Sequence, residues 1–205
     1  MEIFATMIYW FTRGGMVMYL LLAASIISLA IIIERFRYYQ RKAVNVEEYC
    51  NKLTQRLQSD SIDELLESLQ EKERAADIMV AAGLRAAKGN RNVEAAMESA
   101  AQLEAAKLKK GLPILSMLVT LAPILGLMGT VVGMIQSFSI FDVQAGSPMA
   151  ITGGVGEALV ATATGLAVAV IALVGHSFFS YSLDNILTKL EQISSLVMEY
   201  VVVKA

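Results

Sequence analysis

The feature that most constrains this chain is a run of 31 residues, from Gly111 to Phe141, that contains no charged side chain. As an α-helix it reaches about 45 Å, whereas the hydrocarbon layer of a bilayer is about 30 Å thick. Soluble domains seldom contain such a run, so it predicts a transmembrane helix, which we assign to residues 111–137. Gly126, Gly129 and Gly133 lie within it at helical spacing. Small residues at that spacing allow another helix to approach closely.

Two further apolar segments predict two further spans. Residues 16–33 carry no charge and span about 27 Å as a helix, which predicts the first transmembrane helix. A cleaved signal peptide is the alternative, but no basic region precedes the run. Ser147 and Pro148 form an N-cap followed by a first-turn proline, which predicts a third span over residues 148–177. With 56% hydrophobic residues, the composition is typical of an integral membrane protein.

The charges predict the orientation of the chain. Of the 17 Lys and Arg residues, 14 lie between Glu34 and Lys110. They cluster directly after the first span and directly before the second, which places residues 34–110 in the cytoplasm. We therefore expect residues 1–15 at the outer interface and residues 138–147 outside. Residues 178–205 should continue the third helix into the cytoplasm.

The cytoplasmic block has a helical period, which predicts a helical domain in an all-α protein. A first helix carries its apolar side chains from Val46 to Leu57. A second begins at a capping box of Ser61 and Glu64, and a third covers 75–88. Asn92 is expected to cap a fourth helix, whose apolar side includes Leu103. The hydrophobic period of this helix suggests that it continues past Gly111 into the second span as one long helix. Cys50 is the only cysteine, which excludes an intrachain disulfide.

Glu157 is the strongest candidate for chemistry. It is the only Asp, Glu, Lys or Arg in the 41 residues from 143 to 183. An ionised carboxylate in hydrocarbon is costly, so such a residue normally faces a bundle interior or water, or stays protonated. That environment suits a group that takes up and releases protons. The alternative is a glutamate near the interface that reaches water or caps a neighbouring helix.

Small residues recur along the third span and predict a packing face. They are Ala158, Thr162, Gly165, Ala169 and Ala172. Glu157 and Thr162 are five residues apart, so they point about 140° away from each other around the helix. Either the face toward a pore is wide, or one of the two faces a neighbouring subunit. For Thr162 and Thr164 the simplest expectation is a hydroxyl bonded to its own helix carbonyl.

Two motifs carry a family resemblance. The run from Ala122 to Ile135 has the form Ala-Pro-x-x-Gly-Leu-x-Gly-Thr-Val-x-Gly-Met-Ile, and residues 157–166 have the form Glu-Ala-Leu-x-x-Thr-Ala-x-Gly-Leu. Both resemble the ExbB/TolQ/MotA proton-channel family, and the ExbB/TolQ branch most closely. The chain departs from the family at Ile171, where a proline is usual. His176 stands where the family tends to have Tyr or His.

The resemblance implies a ring, a pentamer in this family, in the bacterial inner membrane. It implies a single-span ExbD/TolR-like partner with an intramembrane Asp, and a TonB-like or TolA-like protein beyond it. Thr130, Glu157 and Thr162 match the positions credited with lining the proton path. The implied function is to use the proton motive force to power TonB-dependent outer-membrane transport. A TolQ-like role in envelope maintenance is the alternative; a MotA-like flagellar stator has four spans, and three argue against it.

The sequence indicates no enzyme. It shows no glycine-rich phosphate loop, no metal-ligand cluster and no nucleophile with a matching base. An intramembrane hydrolase using His176 with a serine is the alternative, but the adjacent Ser177 points elsewhere on the helix. We expect no cofactor, no metal and no nucleic-acid partner.

Overall fold

In the computed structural model of the protein, residues 15–42, 45–59, 61–70, 74–143 and 148–204 are described. Every regular element in these ranges is an α-helix. The seven helices are α1 (Gly15–Lys42), α2 (Val46–Ser59), α3 (Ile62–Gln70), α4 (Ala75–Lys88), α5 (Val93–Lys109), α6 (Leu112–Val143) and α7 (Pro148–Lys204). The predicted interfacial segment at the N-terminus and the N-cap at Ser147 lie outside the described residues.

Three of the helices are long and apolar enough to cross a membrane, as the sequence predicted. Helix α6 continues to Val143, so the first part of the predicted outer loop is helical. Helix α7 is continuous to Lys204, which confirms that the tail extends the third span. It passes through Ile171 without ending.

The chain divides into two units, which we describe separately. The membrane unit comprises residues 15–33 and the described part of residues 111–177. Its core is formed by small and branched side chains from α1, α6 and α7, including Leu21, Ala122, Ala161 and Ala172, all at most 1% exposed. Many large apolar side chains of the same helices remain exposed, as expected for surfaces that face lipid or other chains.

The polar unit comprises residues 34–110 and 178–205. Its helix starts follow the sequence signals closely. Ser61 and Glu64 form the predicted capping box, with the Glu64 amide donating to Ser61 Oγ at 3.3 Å and the Ser61 amide donating to Glu64 Oε2 at 3.1 Å. Asn92 Oδ1 accepts a hydrogen bond from the Ala95 amide at 2.9 Å. Both caps satisfy amides that a helix start leaves unpaired.

The expectation of one continuous helix across Gly111 is wrong. Helix α5 ends at Lys109, the backbone of Lys110 is extended with ψ 128°, and Gly111 adopts φ +86°. A positive φ is readily available only to glycine. The helix is therefore interrupted at Gly111, and the matching hydrophobic phase on either side does not reveal the break.

The last carbonyls of α5 are bonded to α1. Arg35 Nη1 donates to the Lys107 carbonyl at 2.9 Å, and the Tyr39 hydroxyl donates to the Leu108 carbonyl at 3.1 Å. Carbonyls at a helix C-terminus have no partner within their own helix. These two side chains therefore cap α5 and fix it against the end of α1.

A buried carboxylate also joins α5 to the end of α1. Glu104 is fully buried, and its two oxygens accept hydrogen bonds from Lys42 Nζ at 3.1 Å and Lys107 Nζ at 2.6 Å. A buried charge is tolerated when it is paired and hydrogen-bonded. Each oxygen of Glu104 therefore has its own lysine partner, and the buried charge is compensated.

Candidate functional site

The predicted glycines of α6 lie where α7 approaches most closely. A Cβ added to Gly126 would lie 3.0 Å from Thr162 Cα, and one added to Gly133 would lie 3.1 Å from Ala158 Cβ. At Gly129 the added atom would overlap the methyl group of Ala161. Such short approaches are possible only because these positions lack a side chain.

The complementary face of α7 consists of the predicted small residues. A Cβ on Gly165 would lie 2.6 Å from the Ala122 carbonyl oxygen and 3.0 Å from Gly126 Cα. Ala158 and Ala169 are buried. In this structure the small-residue face is therefore occupied within one protomer, by α6 and the other helices of the membrane unit.

Thr162 bonds across the contact rather than along its own helix. Its hydroxyl donates to the Gly126 carbonyl at 3.0 Å, whereas the Thr164 hydroxyl donates to Val160 of its own helix at 2.8 Å. The expectation of a bond within the helix thus holds for Thr164 and is wrong for Thr162. The absence of a side chain at Gly126 allows the backbones to come close enough for this bond.

Thr130 and Glu157 occupy partly accessible positions on the same two helices. The Thr130 hydroxyl donates to the Leu127 carbonyl at 2.6 Å, within α6. Glu157 is half-buried and directly precedes Ala158, the residue that faces Gly133. By helical geometry, consecutive residues point about 100° apart, so Glu157 lies at the level of the Ala158–Gly133 contact but on a different side of α7. By helical geometry, Glu157 and Thr162 point about 140° apart around α7. Thr162 is directed into the α6–α7 contact by its hydrogen bond to the Gly126 carbonyl.

The sequence analysis missed one pair at this contact. Ser137 is buried and its hydroxyl donates to the Gly133 carbonyl at 2.7 Å. A side chain on Gly154 would overlap Ser137 Oγ. Gly154 lies four residues before Ala158, so extending the small-residue spacing by one turn toward the N-terminus would have found it.

Within the described ranges, no group of His, Cys, Asp or Glu side chains is placed to hold a metal ion. The polar atoms at the α6–α7 contact are hydroxyls, backbone carbonyls and one carboxylate. Such groups can form hydrogen bonds with water.

Comparisons with known proteins show the family to which the chain is similar. The model of the MotA/TolQ/ExbB proton channel family matches residues 51–192. A putative biopolymer transport protein ExbB homolog from Methanothermobacter thermautotrophicus is 28% identical over 195 residues, covering 94% of this chain and 70% of that protein. A putative ExbB-like protein from Synechocystis is 30% identical over 170 residues, covering 81% of each chain.

A shorter match is to a protein of the TolQ branch. The Tol-Pal system protein TolQ of Pseudomonas aeruginosa is 38% identical over 89 residues, which cover 43% of this chain and 38% of that protein. The matched family region contains α6, the α6–α7 contact, Glu157 and both threonines. On the family match and these relatives, the chain belongs to the MotA/TolQ/ExbB proton channel family and is an ExbB-like member of it.

Proposed function

We propose that this protein is the ring-forming subunit of an inner-membrane complex that uses the proton motive force to power TonB-dependent outer-membrane transport. The observation that carries this proposal is Glu157, the only formal charge in a 41-residue stretch, beside a tightly packed contact between two membrane helices. Ionisable side chains within membrane spans are costly and normally mark ion pathways or proton relays. A role in proton movement accounts for its presence, and no enzymatic activity is proposed.

The proton path would involve this chain and a partner. A single-span ExbD/TolR-like protein inside the ring would supply an intramembrane Asp, and protons would pass between it and Thr130, Thr162 and Glu157. Because the Thr162 hydroxyl donates to the Gly126 carbonyl, its oxygen retains lone pairs that can accept a hydrogen bond from water or from a protonated carboxyl group. Proton passage would bias rotation of the partner, and a TonB-like protein would carry the motion outward.

The proposed topology places the N-terminus in the periplasm and residues 34–110 and 178–205 in the cytoplasm. The basic residues that flank the first two spans support it. Single cysteines in a Cys50→Ser background test it. Cysteines within 142–147 should react with an impermeant reagent added from outside, and one at Lys72 should not. Outside labelling at Lys72 would rule out the three-span topology.

The TolQ-like alternative is supported by the match to TolQ of Pseudomonas aeruginosa. The two roles are separated by complementation. The protein is expressed together with an ExbD/TolR-like single-span protein in cells that lack both ExbB and TolQ. Restored energy-dependent uptake through an outer-membrane receptor supports the proposed role. Restored detergent resistance without uptake favours the TolQ-like role, and restoration of neither contradicts both.

A further inference from the structure

Glu157 and Thr162 lie on different sides of α7, although the family resemblance assigns both to the proton path. The Thr162 hydroxyl is directed into the α6 contact, where it donates to the Gly126 carbonyl at 3.0 Å. The Glu157 side chain points about 140° away from it around the helix axis. Within one protomer, Thr162 therefore does not share the side of α7 on which Glu157 lies.

A different hydroxyl, that of Thr164, shares the side of Glu157. The two residues are seven positions apart, so they point within about 20° of each other and lie about 10 Å apart along the axis. The other hydroxyl and imidazole side chains that follow Glu157 in the membrane part of α7 each point at least about 100° away from it; they are Thr162, His176 and Ser177. Thr164 occupies a variable position of the motif Glu-Ala-Leu-x-x-Thr-Ala-x-Gly-Leu, so the resemblance gives it no role.

The hydrogen bond of Thr164 leaves its oxygen able to accept another. Its hydroxyl donates to the Val160 carbonyl at 2.8 Å, and the side chain is half-buried. A hydroxyl has one donor and two acceptor lone pairs. Because its proton is engaged within α7, Thr164 can accept a hydrogen bond from a water molecule beside the helix.

The same side of α7 is packed and apolar beyond Thr164. Val168, one turn further on, points within about 20° of Glu157 and is buried in the core of the membrane unit. Gly175 points the same way as Glu157, and a Cβ added there would lie 2.7 Å from the Ile32 side chain of α1. In the membrane part of α7, the polar side chains that follow Glu157 on this side therefore end at Thr164.

We infer that Thr164 is a positioning residue for the proton carried by Glu157. Its hydroxyl anchors a short chain of water molecules along which protons reach and leave the Glu157 carboxylate. A proton that leaves the carboxyl group is accepted by the nearest water, which passes a proton to the next, and the threonine itself is not ionised. Hydrogen bonds through water are nearly as favourable as direct ones. The inference deepens the proposed function and rests on Glu157 as the proton carrier.

Proton flux into liposomes tests the inference. The protein is reconstituted together with an ExbD/TolR-like single-span protein, and a pH-sensitive dye reports the flux. Thr164→Val keeps the side-chain shape without the hydroxyl and should lower the flux about fivefold to tenfold. Thr164→Ser keeps the hydroxyl and should retain most of the flux. Thr188→Val is the matched control, because it removes a similar bond, to the Asp184 carbonyl at 3.0 Å, in the polar unit, and should leave the flux unchanged.

The outcomes separate this inference from the proposed function. Unchanged flux in Thr164→Val, or equal losses in the Val and Ser variants, would overturn the inference. If Glu157→Gln loses flux while Thr164→Val retains it, the inference fails and the carrier role of Glu157 stands. Full flux with Glu157→Gln, or none from the unmodified complex, would contradict the proposed function and the inference with it.

Cysteine labelling provides a second measurement that needs no proton flux. In the assembled Cys50→Ser complex, Thr164→Cys should react with a small charged thiol reagent, because its side of α7 is hydrated. Leu166→Cys should react little, since Leu166 is an apolar position about 160° away around α7 that is 52% exposed in the protomer. Faster or equal reaction at Leu166 would show that the hydrated side of α7 is not the one that carries Thr164.

Discussion

The Thr162 hydroxyl donates to the Gly126 carbonyl at 3.0 Å, which joins α7 to α6 within the membrane unit. The bond depends on glycine at 126, because a Cβ there would lie 3.0 Å from Thr162 Cα. It joins Thr162 to the packing of α6 and α7, the helices on which Thr130 and Glu157 lie.

Thr162→Val should destabilise the protein because it removes the hydroxyl that donates to the Gly126 carbonyl and keeps the side-chain shape. Hydrogen bonds between membrane helices contribute about 0.6–2 kcal/mol, so a modest decrease in thermal stability in detergent is expected. Thr164→Val is the matched control, since the Thr164 hydroxyl bonds only to Val160 in its own helix among the bonds described. Equal losses from the two variants would show that the cross-helix bond contributes nothing specific.

Gly165→Ala should separate α6 and α7. The added methyl group would lie 2.6 Å from the Ala122 carbonyl oxygen and 3.0 Å from Gly126 Cα, and both are backbone atoms that cannot rotate away. The cost should be about 1–3 kcal/mol, the usual cost of overpacking. Gly156→Ala is the control, because a Cβ at Gly156 meets no atom within 4 Å in the protomer. Thermal unfolding of the two variants in detergent measures the difference, and an unchanged melting temperature for Gly165→Ala would contradict the close contact.

Glu104 gives a pH-dependent prediction for the polar unit. Burial alone would raise the pKa of Glu104, but hydrogen bonds from Lys107 and Lys42 outweigh it and hold the pKa below its usual value. A lowered folded-state pKa stabilises the protein above the unfolded pKa of about 4.3, and this stabilisation is lost as the pH falls through the folded-state value. Glu104→Gln should therefore be less stable than the unmodified protein at pH 7. The difference between their free energies of unfolding should decrease below about pH 4.3.

Truncation at the same position has a larger expected effect. Glu104→Ala leaves Lys42 buried without its carboxylate, and breaking a buried pair in this way costs about 3–5 kcal/mol. Glu98→Ala, on the exposed side of α5, should change stability by no more than about 0.5 kcal/mol. Chemical denaturation measures the free energy of unfolding of both variants. Similar losses would contradict the prediction that the buried Glu104 contributes more to stability than the exposed Glu98.

Local signals in the sequence predicted much of the fold, because they act over a few residues. The capping box at Ser61 and Glu64, the Asn92 cap and the small-residue spacing around Gly165 each depend on near neighbours along one helix. The partner of Thr162 could not be predicted in this way. The Gly126 carbonyl is 36 residues away, and only the packed structure brings the two together.

At two further positions the structure differs from the sequence-based expectation, because the deciding feature is not a local sequence signal. Leu103 fits the apolar side of α5 by periodicity, but the protomer supplies no surface that covers it. Gly111 breaks a continuous hydrophobic phase because its backbone adopts a positive φ, and a glycine in an apolar run gives no sign of which conformation it takes.

The central claim is that Glu157 takes up and releases protons, and Glu157→Gln tests it most directly. Glutamine keeps the shape and much of the hydrogen bonding of the protonated acid but cannot release a proton. The measurement is proton-gradient-dependent uptake, paired with a check that the complex still assembles; Glu157→Asp should retain some activity and Glu157→Ala none. The account predicts that Glu157→Gln assembles normally and loses gradient-driven uptake. Full uptake by an assembled Glu157→Gln complex would contradict the claim and favour the intramembrane Asp of the proposed single-span partner as the titrating group.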